Sequence, residues 1–299
     1  MRKRILGIAA VLMFVGMTAS AFAGLITPGN LVVVQFGDGV VTLDGKANYV
    51  FLREFTTAGT LVQTLAMPTS TSGSNRRFMN SGNADSEGYL KLSTNGQYLT
   101  LAGYDAALGT SSLAGSVWST INRVVGRVGM DGAIDTSTVL NDAVITGNPR
   151  SAAMDASNLW IGAGSNAGPR YTTFGTVGAS TRLSSSFTRC REVNIFNGQL
   201  YATEQGGTSP GIGIFAVGSG LPTTGGQTVS LYVNTVPSGT GNPDPLDYWF
   251  ADASTVYVAD QRSVANGGGI QKWTLSGSTW SRAYTLSSGA TAGFRGLTG

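Results

Sequence analysis

The stretch RSAAMDASNLWIGAGSNA at residues 150–167 returns, altered in detail but not in grammar, as REVNIFNGQLYATEQG at 191–206 and DYWFADASTVYVADQR at 247–262. Each copy opens on a charged residue, passes through a strand-like segment to a polar turn, and continues as an apolar and aromatic strand that runs out into a polar loop. Superposing Leu159, Leu200 and Val256 brings Arg150, Arg191 and Asp247 together without a gap. A related copy, EGYLKLSTNGQYLTLAGYDA, occupies 87–106, and another opens at FRGLTG, 294–299. The anchors Tyr89, Arg150, Arg191, Tyr248 and Phe294 lie 61, 41, 57 and 46 residues apart. Recurrence at roughly 40 to 50 residues, with room for four strands in each copy, is the mark of a β-propeller rather than a sandwich.

The rest of the chain agrees. Asn30 to Phe36, Tyr49 to Phe55, Leu61 to Ala66, Tyr98 to Ala102, Leu159 to Ala163, Val193 to Phe196, Leu200 to Thr203, Ile212 to Val217, Val229 to Val233, Thr255 to Ala259 and Ile270 to Leu275 are short runs rich in β-branched and aromatic residues. Such runs read as strands. Asp38-Gly39, Asp44-Gly45, Asn95-Gly96, Asp131-Gly132 and Asn197-Gly198 punctuate them with dipeptides suited to tight hairpins. No amphipathic helix is evident. A four-stranded blade is apolar on both faces, so it needs a neighbour on each side, and ring closure covers the last face. Gly103 and Gly162 suit close backbone approach near the axis. The expected fold is an all-β propeller of antiparallel four-stranded blades.

Composition removes much chemistry. The 299 residues include no histidine and one cysteine. That excludes a Ser-His-Asp relay, His-ligated zinc and an intrachain disulfide. Arg2, Lys3 and Arg4 precede a 13-residue apolar run, Ile5 to Met17, and Ala21-Phe22-Ala23 follows. This reads as a secretory signal cleaved before Gly24; an uncleaved anchor needs about 20 apolar residues. Three of the 19 basic residues lie in that segment and no acid does, leaving 16 of each sign. A neutral mature chain without a basic cluster does not suit nucleic acid. Cys190 is expected to be a small buried filler, because an exposed thiol in an oxidising compartment is a liability.

Several stretches carry a resemblance: VFLREFTTAGTLVQTLAMPTSTSGSNRRF (50–78), SEGYLKLSTNGQYLTLAGYDAALGTSSLAG (86–115), INRVVGRVGMDGAIDTSTVLNDA (121–143), REVNIFNGQLYAT (191–203), GSGLPTTGGQTVSLY (218–232), GGGIQKWTLSGSTW (267–280) and FRGLTG (294–299). Together they resemble a family of secreted bacterial β-propeller proteins without an established activity. The resemblance spans nearly all of 30–299 and implies architecture and export. It also implies that such proteins continue past FRGLTG through a further blade and a closing strand. Counting Asn30 to Pro68 as a first blade gives five blades and a stub, hence an expected intact ring of six, or alternatively seven. On that reading 1–23 is signal and 24–299 a single propeller domain, incomplete at its C-terminal end.

Two sets of residues are candidate sites. Arg150, Arg191, Asp247, Arg295 and, allowing a two-residue difference, Glu87 open the innermost strands, so their charges should converge on the channel mouth. There they would hold a small anionic or polar ligand, or form a self-neutralising collar. Asp105, Glu204 and Asp260, with Asn166 nearby, follow the second strands and offer oxygen ligands for calcium, or are solvated turns. Asp244 with Asp247, or Glu204 with Asp260, leaves a carboxylate-pair glycosidase open. Tyr248-Trp249-Phe250 is either a sugar-stacking platform or core between blades. Ser276-Gly277-Ser278-Thr279-Trp280 resembles the Asp-box of sialidase propellers but lacks its aspartate. The expected function is an exported binding module for an extracellular polymer or exported protein. The alternative is a calcium-assisted hydrolase or lyase with its site at the mouth.

Overall fold

The structure, a computed structural model, describes residues 24–298 except 41, 143–144, 166, 205–210, 237–241 and 288. The signal-like segment 1–23 and Asn166 lie outside the described residues. Five sheets succeed one another along the chain. The first is β1 (Leu31–Phe36), β3 (Val50–Phe55) and β4 (Leu61–Ala66). The second is β6 (Lys91–Leu92), β7 (Tyr98–Tyr104), β8 (Arg123–Gly129) and β9 (Ile134–Leu140), extended by a parallel strand, β13 (Val177–Gly178). The third is β10 (Pro149–Met154), β11 (Asn158–Ala163), β12 (Arg170–Thr173) and β14 (Thr181–Arg182). The fourth is β15 (Cys190–Phe196), β16 (Gln199–Glu204), β17 (Gly213–Val217) and β18 (Val229–Asn234). The fifth is β19 (Pro245–Asp252), β20 (Thr255–Asp260), β21 (Gly269–Ser276) and β22 (Thr279–Leu286). A ribbon of β2 (Ala47–Asn48) and β5 (Asn80–Ser81) joins the first two blades.

This is a five-bladed propeller arrangement of mostly antiparallel sheets, with almost no helix among the described residues; Val264–Asn266 is a short 3-10 turn. A sixth blade, expected for the intact ring, is not among the described residues. Three strands that the sequence reading passed over, β8, β9 and β22, are rich in polar residues or glycine, and take their place from pairing with β7 and β21.

Apolar clusters fill the spaces between successive blades. Val50, Leu52 and Leu65 meet Leu99, Leu101 and Val124 between the first and second. Val125 and Leu140 meet Ala152, Leu159 and Ile161 between the second and third. Ala153 and Trp160 meet Val193, Leu200 and Phe215 between the third and fourth, where Cys190 is fully buried and its thiol is pushed up to about 12 by burial. Tyr201, Ile214 and Val233 meet Tyr248, Phe250, Val256 and Trp273 between the fourth and fifth. Each fully buried side chain of this size contributes about 1.5–3 kcal/mol.

Near the axis, hydroxyl groups link neighbouring blades. Thr100 Oγ1 donates to the Ala152 carbonyl at 2.6 Å, Ser151 Oγ to that of Arg191 at 3.3 Å, and Thr203 Oγ1 to that of Leu246 at 2.9 Å. Gly162 permits the third and fourth blades to meet, because a Cβ there would lie 2.5 Å from Ser151 Oγ and 2.8 Å from the Arg191 carbonyl oxygen.

Candidate functional site

The innermost strands of the second to fifth blades point the same way along the axis, and three of them carry a bulge near the start. Pairing skips from Pro149 to Ser151, from Cys190 to Val193 and from Pro245 to Asp247. Bulges of this kind redirect side chains. In the fifth blade a second irregularity, between Phe250 and Asp252, inserts one residue into the hairpin. Asp247, opposite Ala259, therefore occupies the position of Ser151 and Glu192, not of Arg150 and Arg191 as gapless superposition implies. In the second blade Tyr89, which pairs with Ser151, is at this position, and Lys91, opposite Thr100, lies two residues further along.

Ser151, Glu192 and Asp247 thus form one level around the axis, which the Lys91 side chain reaches from two residues further along the second blade's innermost strand. Lys91 Nζ lies 2.7 Å from Asp247 Oδ1 and also contacts Glu192 Oε1. All three are buried. The Tyr248 amide donates to Glu192 Oε2 at 3.2 Å, and the Leu297 amide donates to Asp247 Oδ2 at 2.9 Å. Burial raises the Asp247 carboxyl, and Lys91 opposes that rise. One ammonium between two carboxylates closes the axis with an ion cluster, which is costly to break from one side.

Beyond this level lies the mouth. Arg150 Nη1 donates to the Cys190 carbonyl at 3.0 Å. Burial foremost, with the like charge of Arg191 beside it, lowers the Arg150 guanidinium to about 10. Burial also lowers Arg191, with the Asp244 carboxylate opposing. Neither arginine forms an ion pair with a carboxylate among the described residues, and the Nε of each is buried without a hydrogen-bond partner there. The Tyr89 hydroxyl is in the same condition, and burial raises its phenol. Tyr89 and Asp247 also line a cavity of about 360 Å³, walled by Val32 to Val34 and residues 295–298. Leaving buried donors unmet is unfavourable, and three of them lie together at this mouth.

The other expected collar residues have different surroundings. Glu87 sits outside β6 and accepts from Tyr104 Oη at 2.5 Å, the Ser81 amide at 3.0 Å and Asn80 Nδ2 at 3.3 Å, and burial pushes its carboxyl up to about 7. Arg295 meets Asp85 at 3.1 Å on the exposed rim.

The acids considered for calcium are on three blades, each already engaged. Asp105 accepts from Arg77 Nε at 2.8 Å, Glu204 from the amides of Thr188 and Arg189, and Asp260 from Arg262 and Gln271. No group of three or more acidic, cysteine or histidine side chains among the described residues is set to hold a metal ion. Asp244 accepts from Gln261, apart from the Lys91 cluster that holds Asp247. Tyr248 and Phe250 are core against the fourth blade, whereas Trp249 lies on the opposite face beside Tyr257. Lys91 and Glu192 are the residues that sequence reasoning missed. For Glu192 the signal was register across the bulge, which gapless superposition hides; Lys91 reaches the cluster by the length of its side chain.

No family model and no curated protein matches the chain. Among solved structures, it is similar to an oxidoreductase (glucose dehydrogenase) from Thermus thermophilus, at 14% identity and a TM-score of 0.45, over 90% of this chain and 91% of that one. It is also similar to AztD of Citrobacter koseri, at 9% identity and a TM-score of 0.33, over 86% of this chain and 58% of AztD. Neither likeness carries an activity over to this chain.

Proposed function

We propose that the protein is an exported binding module that engages an extracellular polymer or an exported protein through the mouth of its ring. One observation carries this reading: Arg150 and Arg191, the first half-buried and the second buried, lie side by side on neighbouring innermost strands with buried Nε donors that have no partner among the described residues. A collar serving stability alone would pair its charges, as Lys91 does with Asp247. Export rests on the signal-like segment at 1–23.

Thermal melting of the protein with a panel of neutral and acidic polysaccharide fragments tests this. A ligand present at 100 times its Kd adds about 2.7 kcal/mol. At least one fragment should raise the melting temperature, and a variant carrying both Arg150→Met and Arg191→Met should lose that shift. A shift that survives both substitutions places binding elsewhere.

A further inference from the structure

We propose that the mouth is a carboxylate-binding site, in which Arg150 and Arg191 take the two oxygens of a monocarboxylate and the Tyr89 hydroxyl donates to it. This rests on the reading of the mouth as the binding end and names its ligand class. The three side chains come from neighbouring segments around the axis. The Tyr89 amide donates to the Arg150 carbonyl at 3.3 Å, and Ser151 Oγ donates to the Arg191 carbonyl at 3.3 Å. Each side chain has a buried polar atom with no partner among the described residues, and Tyr89 and Arg191 are only 6% and 4% exposed. Tyr89 also lines the 360 Å³ cavity, which adjoins this group of side chains.

The charge balance selects the ligand. Arg191 faces the Asp244 carboxylate and Arg150 lies beside Arg191, while Asp85 is paired with Arg295 and Asp247 with Lys91. The buried Glu87 carboxyl, raised toward neutrality, adds little negative charge in mildly acidic solution. The surplus is one positive charge, which a monoanion neutralises. A sulfate dianion would leave an excess negative charge in a buried setting near Asp244 and Asp247. The planar fork of a guanidinium fits the planar carboxylate, and a lysine cannot reproduce that match. The Tyr89 phenol keeps its proton because burial disfavours the phenolate, so it serves as a donor.

Isothermal titration of the full chain at pH 6, at constant ionic strength, distinguishes the cases with four probes: acetate, galacturonate, sulfate and glucose. The expected result is binding of acetate and galacturonate, with sulfate at least tenfold weaker and glucose silent. Arg191→Lys, which keeps the charge but not the fork, should weaken carboxylate binding at least tenfold. Tyr89→Phe, which removes only an unpartnered hydroxyl and keeps the ring packing, should weaken it several-fold even if the arginine variant folds poorly. Carboxylates that bind both variants as tightly as the unaltered protein overturn the proposal. If glucose binds and these substitutions abolish its binding, the mouth stands as a site but the carboxylate assignment falls. If no probe's binding depends on Arg191 or Tyr89, both fall.

Discussion

At Glu87 an ordinary carboxyl is changed by where it is placed. Three donors, from Tyr104, Ser81 and Asn80, hold it, Arg123 adds a favourable charge, yet burial outweighs them and lifts it from 4.5 to about 7. The fold therefore favours the protonated form. Its stabilising contribution is complete below pH 4.5 and is lost as the pH rises through about 7, a change on the order of 3 kcal/mol at about 1.4 kcal/mol per pH unit. Glu87→Gln, whose amide oxygen can accept from Ser81 while its NH₂ donates to the Tyr104 hydroxyl, should flatten that slope. Chemical denaturation from pH 4.5 to 7.5 measures it, and equal slopes in the two proteins would refute the assignment. Arg150 and Arg191 were legible in the sequence because the repeat places them together. Glu87 was named for the collar and lines the same cavity as Tyr89 and Asp247, but its protonation depends on Tyr104 and Ser81, neither of which its local sequence announces.

Elements in this chain are set by small residues at contact points. The β15 to β16 hairpin turns in two residues, Asn197 and Gly198, whose φ angles of 48° and 72° match the turn that suits twisted strands. That element was readable from its dipeptide. The bulges that begin β10, β15 and β19 were not, because no residue type requires them, and they decide which side chains reach the axis. Gly162 is the tightest test of this level. Gly162→Ala puts a methyl group against Ser151 Oγ and the Arg191 carbonyl, so it should cost about 1–3 kcal/mol by overpacking. Gly115→Ala, where only one atom lies within 4 Å and at 3.9 Å, should cost far less. Urea midpoints report the difference. Equal midpoints for the two variants would mean that the third and fourth blades do not meet as described.

The whole molecule rests on blades that shield one another around an axis, and the four clusters between successive blades bear that out. Among the described residues no such cluster joins the fifth blade to the first. On β1, Val32 and Val34 pack inward while Leu31 and Val33 are exposed, and Tyr284 and Leu286 are exposed on β22. The repeat made the propeller legible, but the blade count was not, because spacings between 41 and 61 residues blur how many modules share the ring. The contact that ties distant blades together is Lys91 with Asp247, 156 residues apart in sequence and 2.7 Å apart in space. A double-mutant cycle on Lys91→Met and Asp247→Leu, read by chemical denaturation, therefore asks whether the second and fifth blades share an axis. A coupling of about 1 kcal/mol or more is predicted, within the range of about 0.5–3 kcal/mol found for residues in contact; purely additive effects would contradict the ring.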